Sequence, residues 1–168
     1  MEFKRVEKED FDKAYSCIEE SFPICERRTF QEAKAVLDKR EYTLFHIEEN
    51  DTKVGLLGVW NLDGFCFIEH FAIYPSFRNK GLGATALTLA KTKWDKLVLE
   101  VEPNTTEIAK RRLDFYMRNG FCQNSFKYMQ PSYRFGEEDV ELVILSYPTL
   151  LGESEKVIKE IYKKVYGR

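Results

Sequence analysis

Apolar residues along this chain alternate between two spacings, and the switches between them divide it into strands and helices. Phe3–Val6 reads as a short strand, and from about Asp10 the residues Phe11, Ala14, Tyr15, Ile18 and Phe22 fall at helical spacing until Pro23 ends the run. After the loop Ile24–Arg28, Thr29 and Glu32 form a T-x-x-E capping box that opens a second helix, with Phe30, Ala33 and Leu37 facing inward. Three strands are predicted next. Tyr42–Ile47 and Lys53–Trp60 flank an Asn50-Asp51 turn, and Asp63-Gly64 is a hairpin signal leading into Phe65–Ile73. A glycine-containing loop then precedes a helix from about Gly81 to Lys93, with Leu82, Ala86, Leu89 and Ala90 as its buried stripe.

Leu97–Val101 is an apolar strand, and Asn104 with Glu107 reads as a helix N-terminus. Ala109, Leu113 and Tyr116 repeat at helical spacing up to Gly120, a C-terminal stop. Strands at about Phe121–Met129 and Val140–Ser146 close the sheet, and a last helix after Ser154 carries Ile158, Ile161, Tyr162 and Val165 on one face. This order, βα–αβββ–α–β–α–ββ–α, predicts an α+β fold with a mixed sheet, not a run of βαβ units.

Composition narrows the picture. With 168 residues the chain is expected to form a single domain spanning 1–168. Its 26 Lys+Arg against 28 Asp+Glu exclude a nucleic-acid binder held by a uniformly basic field. The longest stretch free of charge, Leu142–Gly152, has 11 residues, too few for a membrane span, and the charged N-terminus shows no signal peptide. Cys17, Cys25, Cys66 and Cys122 form no CxxC pair, and only His46 and His70 could supplement them, so no metal site is expected. Scattered reduced cysteines without an export signal point to the cytoplasm.

The chemistry is concentrated in Phe67–Thr85, where a strand runs into a loop and Gly81 and Gly83 sit at the first turn of a helix. Glycines there let backbone N–H groups approach an anion, and the helix dipole favours negative charge. No G-x-x-x-x-G-K-[ST] phosphate loop is present. The dinucleotide fingerprint G-x-G-x-x-[GA] does fit Gly81–Ala86, with Glu102 placed 21 residues after Gly81. Against that reading, hairpins precede the motif and no second nucleotide-binding half follows it. A two-glycine tight turn without a ligand is the plainest alternative.

Arg78-Asn79-Lys80-Gly81-Leu82-Gly83-Ala84 resembles the R/Q-x-x-G-x-G/A motif of the GNAT superfamily of acyl-CoA-dependent N-acetyltransferases. The preceding I-E-H-F-A-I-Y-P-S-F is similar to that family's fourth strand and loop, and Phe115–Phe121 to its F-Y-x-x-x-G-F helix end. The two motifs stand in order, with one helix and one strand between them. The resemblance covers essentially the whole chain and implies a central, mostly antiparallel twisted sheet of about seven strands flanked by helices.

It also implies acetyl-CoA as co-substrate. Backbone groups of Phe71 and Ile73 would pair with the pantetheine arm, and an N–H near Phe71 or Ala72 would meet the oxyanion. Arg78, Asn79, Lys80, Gly81, Leu82, Gly83 and Ala84 would surround the pyrophosphate. Lys110, Arg111 and Arg112 would meet the nucleotide phosphates or form a solvated helix face.

Acyl transfer to an amine needs a neutral amine, a stabilised oxyanion and a protonated leaving thiolate. Glu69, among Phe67, Ile68 and Phe71, is the expected base, directly or through water, with a structural ion pair as its alternative role. Some family members place their base two residues earlier, where this chain has Phe67. Tyr116, the motif tyrosine, is the expected general acid or else a core residue. Many members carry an asparagine seven residues before it; here that position is Ala109, which leaves Asn104 as a substitute or the contact absent.

Acceptor-pocket candidates are Phe22, Glu26, Arg27, Arg28, Trp60, His70, Tyr128, Gln130, Tyr133 and Arg134. His70 is expected to alternate away from Glu69 along the strand. The expected function is direct acetyl transfer to the primary amine of a small molecule or peptide in a ternary complex. A non-catalytic acyl-CoA-binding module and a nicotinamide-dependent oxidoreductase are the alternatives. The late strands and amphipathic last helix could support a homodimer.

Overall fold

The computed structural model describes residues 1–134 and 136–168. Its strands are β1 (Glu2–Arg5), β2 (Tyr42–Glu49), β3 (Thr52–Leu62), β4 (Phe65–Ile73), β5 (Leu97–Val101), β6 (Cys122–Gln123), β7 (Tyr128–Gln130) and β8 (Val140–Tyr147). Helices α1 (Phe11–Ser21), α2 (Phe30–Val36), α3 (Leu82–Lys93), α4 (Glu107–Arg118) and α5 (Ser154–Ile161) flank them, and a one-turn π-helix, Tyr162–Tyr166, extends α5. The sheet runs β1-β2-β3-β4-β5-β8-β6, with β7 added against β8. Among the described residues only β4 and β5 pair in parallel.

The sheet buries a different apolar set on each face, as period-two alternation requires. One face carries Leu44, Leu56, Trp60, Phe67, Val98 and Ile144 against α1, α2 and α5. The other packs Leu57, Val59, Ile68, Leu97 and Leu99 against α3 and α4, through Ala86, Leu87, Leu113 and Tyr116.

Two irregularities in β4 shape the molecule. Its parallel pairing with β5 stops after Ile68↔Leu99, so the two strands splay apart beyond that point. Its pairing with β3 also shifts register, from Gly58↔His70 to Val59↔Ile68, leaving Glu69 as the extra residue of a β-bulge.

The Thr29/Glu32 capping box is present in full. Three details depart from the sequence pattern. The N-cap of α4 is Thr106, whose hydroxyl accepts the Ala109 N–H at 3.1 Å, not Asn104. The buried stripe of α3 is Ala86, Leu87 and Ala90, while Leu82 and Leu89 are half-buried. Ala109, on the stripe read from the helical spacing, is packed in the core at 2% exposure.

The third departure is the strand expected over 121–129, which divides into β6 and β7. Buried Asn124 interrupts it there. The Asn124 amide donates to Ser146 Oγ at 3.0 Å, and its Oδ1 accepts the Leu151 N–H at 2.9 Å. These bonds tie the segment to β8 and the following loop.

Candidate active site

The splay between β4 and β5 opens a cavity of about 700 Å³. Its wall includes Phe71, Ala72 and Ile73 of β4, Arg78, Asn79 and Gly81–Ala84 of the loop and α3, and Arg111, Arg112 and Tyr116 of α4. Towards the other end it is lined by Phe22, Glu26, Glu69, Glu100, Gln130 and Tyr133. One cavity therefore joins the residues expected to hold the cofactor to part of the expected acceptor set.

At the loop, the backbone makes an anion cradle. Asn79 and Gly81 take left-handed conformations, with φ of 61° and 78°. The Thr85 N–H is the first to find a backbone acceptor, Gly81 O at 3.1 Å, so those of Leu82, Gly83 and Ala84 precede the helical ladder. Gly83 has a second reason to be glycine: a Cβ there would stand 3.2 Å from the Phe115 ring, so it sets how closely α3 and α4 approach. Arg78 Nε donates to Ile73 O at 2.9 Å, fixing the loop to the end of β4. Arg112 is ion-paired with Glu102 at 2.5 Å on the cavity wall. Lys80 lies off the wall, its ammonium on Ser76 O and over the Phe77 ring.

Glu69 is enclosed by donors. Its carboxylate is ion-paired with Arg28, accepts Trp60 Nε1–H at 2.9 Å and accepts the Tyr133 hydroxyl at 2.7 Å; its side chain is only 3% exposed. Arg28 in turn donates to Val165 O at 2.6 Å and lies over the Tyr133 and Trp60 rings.

The bulge corrects one expectation. His70 does not alternate away from Glu69: both side chains lie on the Trp60 face, with Nδ1 3.8 Å from Glu69 Oε2, beyond hydrogen-bond distance. His70 is buried edge-on to Phe22, and burial together with the Arg28 charge drives its pKa down to about 3. It is therefore a neutral packing residue.

Tyr116 is 7% exposed and meets Phe71, Phe115 and Phe121 edge to face or tilted. Burial pushes its phenol well above the ordinary range, so it keeps its proton at neutral pH.

The group that the sequence pattern missed is Glu100, on β5 where the splay begins. Its carboxyl accepts hydrogen bonds from the Tyr128 hydroxyl and, at 2.6 Å, from the Tyr166 hydroxyl. Burial raises its pKa to about 7, with the negative charge of Glu26 adding to the rise. The two phenols and Arg28 oppose it. Glu26 is itself raised, chiefly by burial and then by Glu102. A carboxyl that titrates near neutrality on a cavity wall is equipped for proton transfer.

Arg28, Trp60 and Tyr128, expected to touch the acceptor, stand one layer behind the wall. Trp60 and Tyr128 are 0% and 2% exposed, and they orient Glu69 and Glu100 from behind. Arg27 pairs with Glu19 and the Tyr15 hydroxyl, away from the cavity, and Arg134 is not on its wall either. No group of three or more His, Cys, Asp and Glu could hold a metal among the described residues. No helix among them is long and apolar enough to cross a membrane.

The splayed β4–β5 pair and the glycine cradle at the following helix match the fold expected from the GNAT-like motifs, and the comparisons agree. The model of the GNAT acetyltransferase family matches residues 5–121. YjbC of Bacillus subtilis (strain 168), which carries the name of an acetyltransferase, is 31% identical over 157 residues, covering 90% of this chain and 78% of that protein. A GNAT-family structure from Bacteroides thetaiotaomicron superposes with a TM-score of 0.94 at 28% identity, covering 100% of this chain and 99% of that one. The Escherichia coli ribosomal-protein-S18-alanine N-acetyltransferase shares the fold at a TM-score of 0.64 and 16% identity, covering 90% of this chain and 95% of that one. The chain belongs to the GNAT acetyltransferase family.

Proposed function

We propose that this protein moves an acetyl group from acetyl-CoA to a primary amine by direct attack within a ternary complex, with Glu100 as the base and Tyr116 as the acid. The observation that carries the reading is the single cavity, with a cradle of amide donors at one end and a carboxyl titrating near neutrality at the other. The residues fit acetyl-CoA. The first-turn amides of α3, with Arg78 and Asn79, face its pyrophosphate; Phe71, Ala72 and Ile73 offer a strand edge to its pantetheine arm; Arg111 and Arg112 lie where the nucleotide phosphates would run.

The amine nitrogen bonds to the thioester carbonyl carbon and loses a proton to Glu100. The carbon–sulfur bond breaks as the tetrahedral intermediate collapses, and the Tyr116 hydroxyl protonates the thiolate. Glu69, whose oxygens are occupied by Arg28, Trp60 and Tyr133, holds the acceptor wall rigid. Direct transfer is favoured over a covalent acyl-enzyme because no cysteine lines the cavity among the described residues.

The test is thiol release from acetyl-CoA across a panel of polyamines, amino-acid amides and amino sugars, preceded by a thermal-shift check with CoA and with NADH. E100Q is expected to abolish the acid limb of kcat/KM, and E69Q to leave that limb in place. Stabilisation by acetyl-CoA without thiol release on any amine would favour a binding module. Stabilisation by NADH alone would favour an oxidoreductase.

A further inference from the structure

We infer that Tyr166, on the π-helical turn Tyr162–Tyr166, is a positioning residue: with Tyr128 it holds the Glu100 carboxyl in the orientation from which it meets an incoming amine. The inference rests on reading Glu100 as the base. Tyr166 reaches Glu100 Oε2 at 2.6 Å while Tyr128 bonds Oε1, so both carboxyl oxygens are clamped from one side. The rotamer that faces the cavity is thereby set by residues 28 and 66 positions away in sequence.

The turn carrying Tyr166 is itself tied down. Val165 is 4% exposed and its carbonyl accepts from Arg28 at 2.6 Å; the Tyr162 hydroxyl bonds Met129 O; Lys164 pairs with Glu41 at 3.0 Å. The Tyr166 ring also packs on Tyr133, centroids 5.1 Å apart, and the Tyr133 hydroxyl is one of the donors to Glu69. The end of the chain thus reaches both cavity carboxylates, Glu100 directly and Glu69 through Tyr133 and Arg28. A π-turn is a local departure from helical geometry, often kept where a side chain must be aimed.

The groups facing Glu100 make the consequence definite. Tyr128 comes from β7, Tyr133 from the loop after it, Tyr166 from the terminal turn, and Glu26 and Arg28 from the segment after α1. The two phenols donate to the charged carboxylate and Arg28 attracts it, whereas Glu26 repels it. Removing one phenol takes away a bond made to the charged form, so the carboxyl should protonate at higher pH.

The experiment is a pH titration of the protein labelled with ¹³C-glutamate, following the Glu100 carboxyl resonance, assigned by its loss in E100Q. Y166F keeps the ring against Tyr133 and is expected to move the midpoint upward by about one unit. Y128F, which removes the other donor, should move it the same way. Y162F, which loses only the bond to Met129 O, should leave it in place. A midpoint unmoved in Y166F, or moved as far in Y162F, overturns the proposal. Failure of the base reading has a separate signature: E100Q would then keep its turnover and acid limb on the amine panel, whatever the titration shows.

Discussion

Replacing Arg28 by alanine is expected to cost more stability than any other single change on the acceptor side. Arg28 is 7% exposed, and its guanidinium is ion-paired with Glu69, bonded to Val165 O at 2.6 Å, and placed over Tyr133 and Trp60 at 4.6 and 5.6 Å. Its loss strands a carboxylate whose side chain is 3% exposed, and breaking a buried pair by removing one partner costs about 3–5 kcal/mol. Trp60 and Tyr133 still donate to Glu69, which argues for the lower half of that range. Against a typical total of about 5–15 kcal/mol, R28A should leave a protein close to its threshold. Urea unfolding followed by tryptophan fluorescence measures this directly, because the Trp60 indole is bonded to the same carboxylate. E69Q and the double variant complete a cycle: neutralising Glu69 should recover part of the loss, with a coupling of at least about 1 kcal/mol. A cost for R28A below about 1 kcal/mol, the range of an exposed pair, would refute the reasoning, as would strict additivity in the double variant.

Three further outcomes can be checked. G83V drives a branched side chain into Phe115, only 3.2 Å from the position of a Cβ, and should cost about 1–3 kcal/mol while raising KM for acetyl-CoA. Y116F removes the proton offered to the leaving thiolate and should lower kcat about a hundredfold in the thiol-release assay, with little change in KM for acetyl-CoA. His70 has a folded pKa of about 3 against 6.5 when unfolded, so the unfolded chain binds a proton that the native state refuses. Its contribution is constant above pH 6.5 and is lost as pH falls towards 3, by about 2 kcal/mol at pH 5; H70N should be flatter over that window in pH-dependent unfolding.

Local chemistry in the sequence carried the helices, the strands and the cradle. The Thr29/Glu32 box, the Gly81/Gly83 pair and the Asp63-Gly64 hairpin each depend on residues within a few positions of one another, so spacing suffices to find them. The acceptor side is different because its contacts are long-range. Glu100 sits inside the apolar run Leu97–Val101, and its partners come from β7 and from the end of the chain. A charged residue in a buried strand is the one local sign of it. The bulge at Glu69 is equally silent, since it arises from pairing with β3 and breaks the alternation by which His70 was expected to face away. Arg28, Trp60 and Tyr128 stand behind the cavity wall; period-two patterning tells which face a strand residue takes, and not whether a cavity reaches it.

The same burial that equips Glu100 for proton transfer should weaken the fold, and this separates a working carboxyl from a structural one. An acid whose pKa rises from 4.5 to about 7 on folding favours the native state least when it is ionised. Its penalty is absent below pH 4.5, grows through the window up to about 7 and is complete above it. At about 1.36 kcal/mol per unit the full shift corresponds to about 3 kcal/mol. E100Q keeps an acceptor oxygen for one tyrosine and has no charge to desolvate. It should therefore be more stable than the native protein at pH 8, equal to it near pH 4.5, and inactive at both. Chemical unfolding at the two pH values decides the matter. If E100Q is destabilised at pH 8, Glu100 is held as a stabilising anion like Glu69, and its place in proton transfer falls with that result.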